Sequence, residues 1–286
     1  MWTNRACGVG AAMERRRRRS VWLHAGIGTM LAAAISLDPA PAVRAESLTG
    51  FEVMKKQRTL HRLNDEHALI AMRLVNEGGR EKLRTLSIDT LATAADRHKL
   101  LLRFLAPPDI TGTGLLVWEN GDAEDDQWLY IPASRKVKRI PASSKKNRFM
   151  GTDFAYEDML PEALTQHAYT VVRSDDVEGH DTFVIEARPS TPDQARDSGY
   201  SRRTLWIRKD SYVTVRIEYH DKAGRLLKVL TPREYVNVLG TAWRANEIEM
   251  RHVAVGTRTI MRVERRTLNS GVRETFFTEL ELTRGQ

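Results

Sequence analysis

The chain has 286 residues, with 45 Lys+Arg, 37 Asp+Glu, a formal net charge of +8 and one cysteine. Residues 1–45 hold seven of the basic and two of the acidic residues, which leaves 38 against 35, or +3, for the rest. So small a balance does not make a nucleic-acid binder, which needs a concentrated basic face. Cys7 lies in the same N-terminal stretch, so residues 46–286 can form neither a disulfide nor a cysteine-ligated metal site.

Residues 1–45 read as a cleavable export signal: Arg15 to Arg19 form a positive region, Val21 to Leu37 a mostly apolar run, and Val43-Arg44-Ala45 places small residues at a signal-peptidase site. The alternative is an uncleaved anchor, because the run approaches the ~20 residues that span a bilayer. His24 and the glycines weigh against it. Arg18-Arg19 fits a twin-arginine signal, but any five-arginine run contains that pair, so the Sec and twin-arginine routes both stay open. Met13 is an alternative start. Cys7 precedes the apolar run, whereas a lipoprotein cysteine follows it, so the expected product is an exported protein without its own lipid, beginning near Glu46.

About 240 residues remain, a length that one all-β domain accommodates. Gly50 to Asn64 has Ser47 or Thr49 as caps and Phe51, Met54, Leu60 and Leu63 at helical spacing, which predicts a first helix. Strand-length runs follow at Ala68 to Val75, Lys82 to Leu91 and His98 to Leu105. In the second, Leu83, Thr85, Ser87 and Asp89 alternate with Arg84, Leu86, Ile88 and Thr90, the period of a half-buried antiparallel sheet. Gly114 to Trp118 and Gln127 to Ile131 flank an Asn-Gly turn at Asn120-Gly121, a strong hairpin signal.

The central segment interrupts this rhythm. Asp153 is placed as the N-cap of a short helix with Phe154, Met159 and Leu160 as its apolar stripe and Pro161 near its end, so Asp153, Glu157 and Asp158 are read as capping and solvated. Thr191 to Asp197 predicts another short helix. Further strands are expected at Tyr169 to Arg173, Thr182 to Ala187, Thr204 to Arg208, Val213 to His220, Arg225 to Leu230, Val236 to Leu239, Ala242 to Val255, Arg258 to Leu268 and Phe276 to Leu282. Hairpins without helical crossovers exclude a parallel α/β fold. About eleven antiparallel strands of this length curl into a barrel or half-barrel.

Arg103-Phe104 with Pro107, Gly112-Thr113-Gly114-Leu115-Leu116, Trp128-Leu129-Tyr130-Ile131-Pro132, Arg139-Ile140 and above all Phe149-Met150-Gly151-Thr152-Asp153-Phe154 with Tyr156-Glu157-Asp158 resemble the outer-membrane lipoprotein-sorting (LolA-like) family of bacterial periplasmic proteins. The resemblance covers roughly Phe51 to Leu282 and includes the Leu205-Trp206-Ile207 strand and the Tyr219 to Gly224 turn. It implies a mainly β domain over residues 46–286: a single unclosed, strongly curved antiparallel barrel, with short helices over a concave apolar cavity that carries acyl chains.

On that reading Leu116, Trp118, Trp128 and Tyr130 are assigned to the cavity wall, and Phe149, Met150, Phe154, Tyr156 and Met159 to a movable cover. Aromatic rings in strands are equally ordinary wall packing. Arg135, Lys136, Lys138, Arg139, Lys145, Lys146 and Arg148 have two readings: a patch for anionic headgroups or an acidic partner, or a solvated run guarding a strand edge.

Enzyme signatures are absent: no Gly-x-Ser-x-Gly, His-Glu-x-x-His or phosphate-loop motif occurs. The seven histidines after residue 45 are scattered without ligand spacing. Asp122, Glu124, Asp125 and Asp126 lack calcium-loop spacing and are read as a solvated turn. The expectation is therefore a monomeric, non-enzymatic periplasmic carrier of lipid or lipoprotein acyl chains without cofactor or metal. It would exchange cargo with an inner-membrane transporter as donor and an outer-membrane acceptor. The rivals are a regulatory sensor or transporter subunit on the same fold, and a periplasmic hydrolase.

Overall fold

The computed structural model describes residues 48–159 and 164–284, so the expected export signal and the expected helix end at Leu160-Pro161 lie outside the described residues. The first helix, α1 (Gly50–Leu60), starts where the Thr49 hydroxyl accepts from the Glu52 N–H and the Glu52 carboxylate accepts from the Thr49 N–H, a reciprocal cap. Strands follow at β1 (Asp65–Val75), β2 (Glu81–Ala92), β3 (His98–Ala106), β4 (Gly114–Trp118), β5 (Asp126–Ile131) and β6 (Lys136–Arg139). The second series is β7 (His167–Val177), β8 (His180–Pro189), β9 (Arg202–Arg208), β10 (Thr214–His220), β11 (Leu226–Leu239), β12 (Ala242–His252) and β13 (Thr257–Leu268), with α2 (Pro192–Asp197) between β8 and β9 and α3 (Glu279–Thr283) after β13. Among the described residues no helix is long and apolar enough to cross a membrane.

All the strands join one antiparallel sheet in the order β6-β5-β4-β3-β2-β1-β13-β12-β11-β10-β9-β8-β7, which is not closed. It is two meanders zipped together at the centre, where β1 pairs with β13 from Glu66↔Leu268 to Val75↔Arg258. Register shifts at Leu69/Ile70, Thr85/Leu86, Val171/Arg173 and Tyr219/His220 bend individual strands. The curvature is visible in who meets whom. Met72 of β1, Leu102 of β3, Ile217 of β10 and Leu230 of β11 line one cavity, although β3 and β11 are five places apart in the sheet.

Among the described residues the sheet has thirteen strands, against about eleven expected and fourteen strand-length runs named, and three assignments differ for physical reasons. Lys136–Arg139, read only as a basic run, is edge strand β6; its one apolar residue, Val137, gives no alternation to recognise, and Arg135 at φ 50° turns the hairpin into it. The runs expected at Arg225 to Leu230 and Val236 to Leu239 are one strand, β11. Pro232 is tolerated there because β10 pairs only as far as Leu230, leaving that side without a ladder to interrupt. Phe276 to Leu282 is no strand: Thr278 accepts from the Glu281 N–H and caps α3.

Alternation divides the N-terminal meander into two apolar faces. Leu115, Val117 and Leu129 point to the concave side with Ile70, Leu86 and Leu102, while Leu116 and Tyr130 point to the convex side. The C-terminal segment covers the convex side. Phe277 and Leu282 are completely buried there, the Trp118 indole N–H donates to the Phe277 carbonyl at 2.9 Å, and Arg103 donates to the Glu281 carbonyl at 2.7 Å. Helix α1 lies on the concave side, burying Val53 and Met54 against Ile185, Leu205 and Ile207. It sits so close that a Cβ on Gly50 would lie 2.6 Å from the Tyr169 carbonyl carbon. Phe277→Ala is expected to lower the unfolding free energy by about 3–5 kcal/mol, the cost of emptying a buried phenylalanine site. Urea denaturation measures it, and an unchanged midpoint would show that the C-terminal segment does not clasp the sheet.

Candidate functional site: a strap over an apolar cavity

The sheet order dictates the site. Because β6 and β7 are opposite edges, the chain between them must travel from one side of the sheet to the other. It does so across the concave face, and its section from Ile140 to Met159 forms a strap. Phe149 stacks on Phe104 at 5.8 Å and meets Tyr156 edge-on at 5.4 Å, which fixes the strap to the N-terminal meander. Phe154 packs with Tyr200, Tyr219 and Met250 of the other meander.

Polar groups complete the attachment. Asp153 caps no helix; it is buried, and its carboxylate accepts from the Thr259 hydroxyl at 2.8 Å, the Thr257 hydroxyl at 2.5 Å and Arg148 at 2.8 Å. Among the described residues the expected helix is a single 3-10 turn, Tyr156–Asp158, because the side chain that was to cap it is committed to β13. Asp158 accepts from the Ala155 N–H at 2.6 Å and from the Tyr200 hydroxyl at 2.9 Å, and receives the Lys228 ammonium. That ammonium also donates to the Asp153 carbonyl at 3.3 Å and lies 4.9 and 5.0 Å from the Tyr200 and Tyr219 ring centroids. Glu157 accepts from the Ser198 hydroxyl at 2.7 Å and the Gly199 N–H at 2.8 Å, with Arg203 at 3.8 Å. The three carboxylates read from the sequence as capping and solvated are therefore largely withdrawn from water and hold the strap down.

Burial also acts on how Glu157 titrates. It pushes the Glu157 carboxyl above the usual carboxylate value, Arg203 opposing and Asp158 reinforcing that shift. Burial and then the neighbouring Asp158 charge push the Tyr200 hydroxyl well above 10, so it stays a donor.

Beneath the strap lies an apolar cavity of about 300 Å³. Met72, Met159 and Met261 contribute adaptable thioether walls, with Ile88, Leu102 and Ile248 between them. A second hollow of about 400 Å³ adjoins it through Leu100 and Ile248 and opens beside α1, where Arg58, His61 and Arg244 stand at its wall. Both fall within the about 300–1,000 Å³ typical of small-ligand sites.

The residues assigned to the cavity from sequence separate into three groups. Phe149, Phe154 and Met159 line it. Tyr156 and Met150 pack in the strap's own anchorage, and the Met150 carbonyl accepts from Arg84 at 2.8 Å. Leu116, Trp118, Trp128 and Tyr130 face the other way: Trp118 and Trp128 meet edge-on at 4.8 Å beneath the C-terminal segment. Of the basic run, Arg139 pairs with Asp126, Lys145 with Glu124 at 2.9 Å and Arg148 with Asp153. Arg135, Lys136, Lys138 and Lys146 are exposed and have no ion-pair partner among the described residues. Lys136 and Lys138 pair with Ile131 and Leu129 and so share their concave-side register at the sheet edge.

Sequence reading passed over Lys228, Arg203 and Tyr200. Lys228 had a signal: it interrupts the apolar run Leu226-Leu227-Lys228-Val229-Leu230, where a solvated lysine has no reason to be.

The sheet is thus an open antiparallel half-barrel whose hollow is crossed by an anchored strap. Comparison with known proteins identifies its relatives. A family described only as an uncharacterized protein matches residues 96–284. A domain described as an outer membrane lipoprotein-sorting protein, from Vibrio parahaemolyticus, is 31% identical with a TM-score of 0.78, covering 82% of this chain and 98% of its own. A DUF1329 family protein from Desulfovibrio piger is 25% identical with a TM-score of 0.76, covering 82% and 97%. A LolA superfamily protein from Nitrosomonas europaea shares the fold at 18% identity and a TM-score of 0.66, covering 82% and 100%. No curated protein matches. The chain belongs to the outer membrane lipoprotein-sorting protein family.

Asp158→Ala is expected to cost about 3–5 kcal/mol by stranding the Lys228 charge, and the double change Asp158→Leu with Lys228→Met to recover most of it. Equal losses in the two would show that the pair is not coupled. The raised Glu157 value means that the folded state holds more protons than the unfolded one above pH 4.5. Stability therefore falls as pH rises toward the folded value. Glu157→Gln is expected to resemble the wild type at pH 4 and to become relatively more stable as pH rises; thermal melts across that range read the divergence, and parallel curves would contradict it.

Proposed function

We propose that the protein is an exported periplasmic carrier that shelters the acyl chains of a lipid or lipoprotein in the hollow beneath the strap. The observation that carries this reading is the apolar cavity itself, walled by three methionines and adjoining a second hollow that opens beside α1. Covering a chain is worth about 0.8 kcal/mol per methylene, so a water-filled compartment is crossed only by a chain kept covered. The relative from Vibrio parahaemolyticus, described as an outer membrane lipoprotein-sorting domain, supports the same role. An inner-membrane transporter would load the cavity and an outer-membrane acceptor would empty it, with Arg135, Lys136, Lys138 and Lys146 meeting anionic headgroups or an acidic partner.

A second reading, a sensor that docks to an acidic protein through that free basic edge, draws on the same four cations. Native mass spectrometry of protein taken from the periplasm separates the two. Co-purified lipid supports the carrier; a tight protein complex with an empty cavity supports the sensor. Met261→Trp, which fills the cavity from its own wall, is expected to remove most of the retained lipid, whereas Trp128→Ala on the convex face is expected to leave it. Retention that follows Trp128 in place of Met261 would put the ligand on the wrong side of the sheet for this proposal.

A further inference from the structure

Beside the apolar cavity lies a hollow of about 480 Å³ of the opposite character. Six carboxylates line it, Asp122, Glu124, Asp125, Glu157, Asp193 and Asp197, against three cations, Lys145, Arg196 and Arg203, a net charge of −3. Arg196 is taken up by Asp193 and Asp197, and Lys145 by Glu124. Asp122 and Asp125 have no ion-pair partner among the described residues. Asp125, expected from the sequence to be a solvated turn residue, is withdrawn enough that burial raises its carboxyl value. The two hollows share a wall: Glu157 and Arg203 line both.

An independent observation points into this chamber. Gln127 of β5 is 3% exposed, and its Nε2 donates to the Tyr156 carbonyl at 3.0 Å. That bond fixes which way the amide faces, since a carbonyl accepts only from the NH₂ side. Its Oε1 then faces away, buried, in the chamber wall, with no hydrogen-bond partner among the described residues. A buried acceptor without a donor is costly, and a ligand that brings one removes that cost.

We propose that this chamber receives the polar head of the carried amphiphile, and that the head bears a primary ammonium group. An ammonium offers three donors and no acceptor, which matches the free Gln127 oxygen, the Asp122 carboxylate and the Asp125 carboxylate, which already accepts from the Asn120 N–H at 3.1 Å and has a second oxygen to offer. Its charge complements the net −3, which disfavours a purely anionic head. A phosphate beside the ammonium finds Arg203 and Lys145 in the same walls. The acyl chains then pass the Glu157–Arg203 partition into the methionine-walled cavity.

This inference rests on the carrier reading, and one titration series separates their failures. Short-chain phosphatidylethanolamine, an N-terminally acylated lysine dipeptide, phosphatidylglycerol and diacylglycerol, all with the same acyl length, are titrated below their micellar concentrations into the purified mature protein by calorimetry. The two ammonium-bearing ligands are expected to bind about tenfold more tightly than the other two, the gain from one hydrogen bond to a charged group. The stronger of the pair identifies a phospholipid head or a lysine as the source. Asp122→Asn with Asp125→Asn is expected to erase the preference while diacylglycerol binding stays unchanged. Equal binding of all four ligands overturns the head assignment and leaves the carrier standing; binding of none overturns both.

Discussion

A chain that leaves a sheet at one edge and re-enters it at the opposite edge has to cross a face. In this protein that requirement follows from the pairing of β1 with β13, which places the first and last strands side by side at the centre and pushes β6 and β7 to the two ends. Curvature shortens the crossing and makes it productive: the segment that must span the sheet also roofs the hollow that the bending creates. The strap is thus a consequence of topology before it is a feature of function. The sequence from Phe149 to Met159 meets that constraint with two aromatic anchors on one wall, one on the other, and acidic side chains between them.

The strap's polar attachment has a different physical character from its aromatic one. A desolvated ion pair such as Asp158–Lys228 adds little net stability over apolar packing of the same volume, yet it penalises any arrangement that separates the partners. It therefore fixes position. Tyr200 and Tyr219 flank the ammonium, Asp153 is tied to two threonines of β13, and Glu157 joins the strap to the β8–β9 connection. The cavity below has the opposite quality. Its methionines adjust to whatever occupies it. A roof with a specified seat over a wall without one suits a carrier whose cargo varies in shape.

How much of this was legible in the sequence depends on the range of the interaction. Strand periodicity and Asn-Gly or Gly turns are local, so the succession of hairpins and most strand boundaries could be read directly, and the Phe149 to Asp158 run carried the family. Facing could be read only in part. Leu116, Trp118, Trp128 and Tyr130 have the size and spacing of a ligand wall, but β4 and β5 are apolar on both sides, and only the C-terminal segment folding over them reveals which side is filled. Nothing in their own sequence distinguishes the two. The partners of Asp153, Asp158 and Glu157 lie at Thr259, Lys228 and Ser198, beyond any local pattern, and so three structural carboxylates resembled solvated caps. The same limit concealed Asp125 and Gln127, whose shared chamber is assembled from the β4–β5 turn, the strap and α2.

The central claim is that acyl chains lie between the strap and the concave face. Methyl NMR of protein labelled at the methionine methyl groups, titrated with a lipid carrying a nitroxide midway along its chain, addresses it most directly. The Met72, Met159 and Met261 resonances are expected to broaden first, with the Trp118 and Trp128 indole signals unaffected on the far face. Broadening confined to the indoles, or spread evenly over every probe, would contradict it.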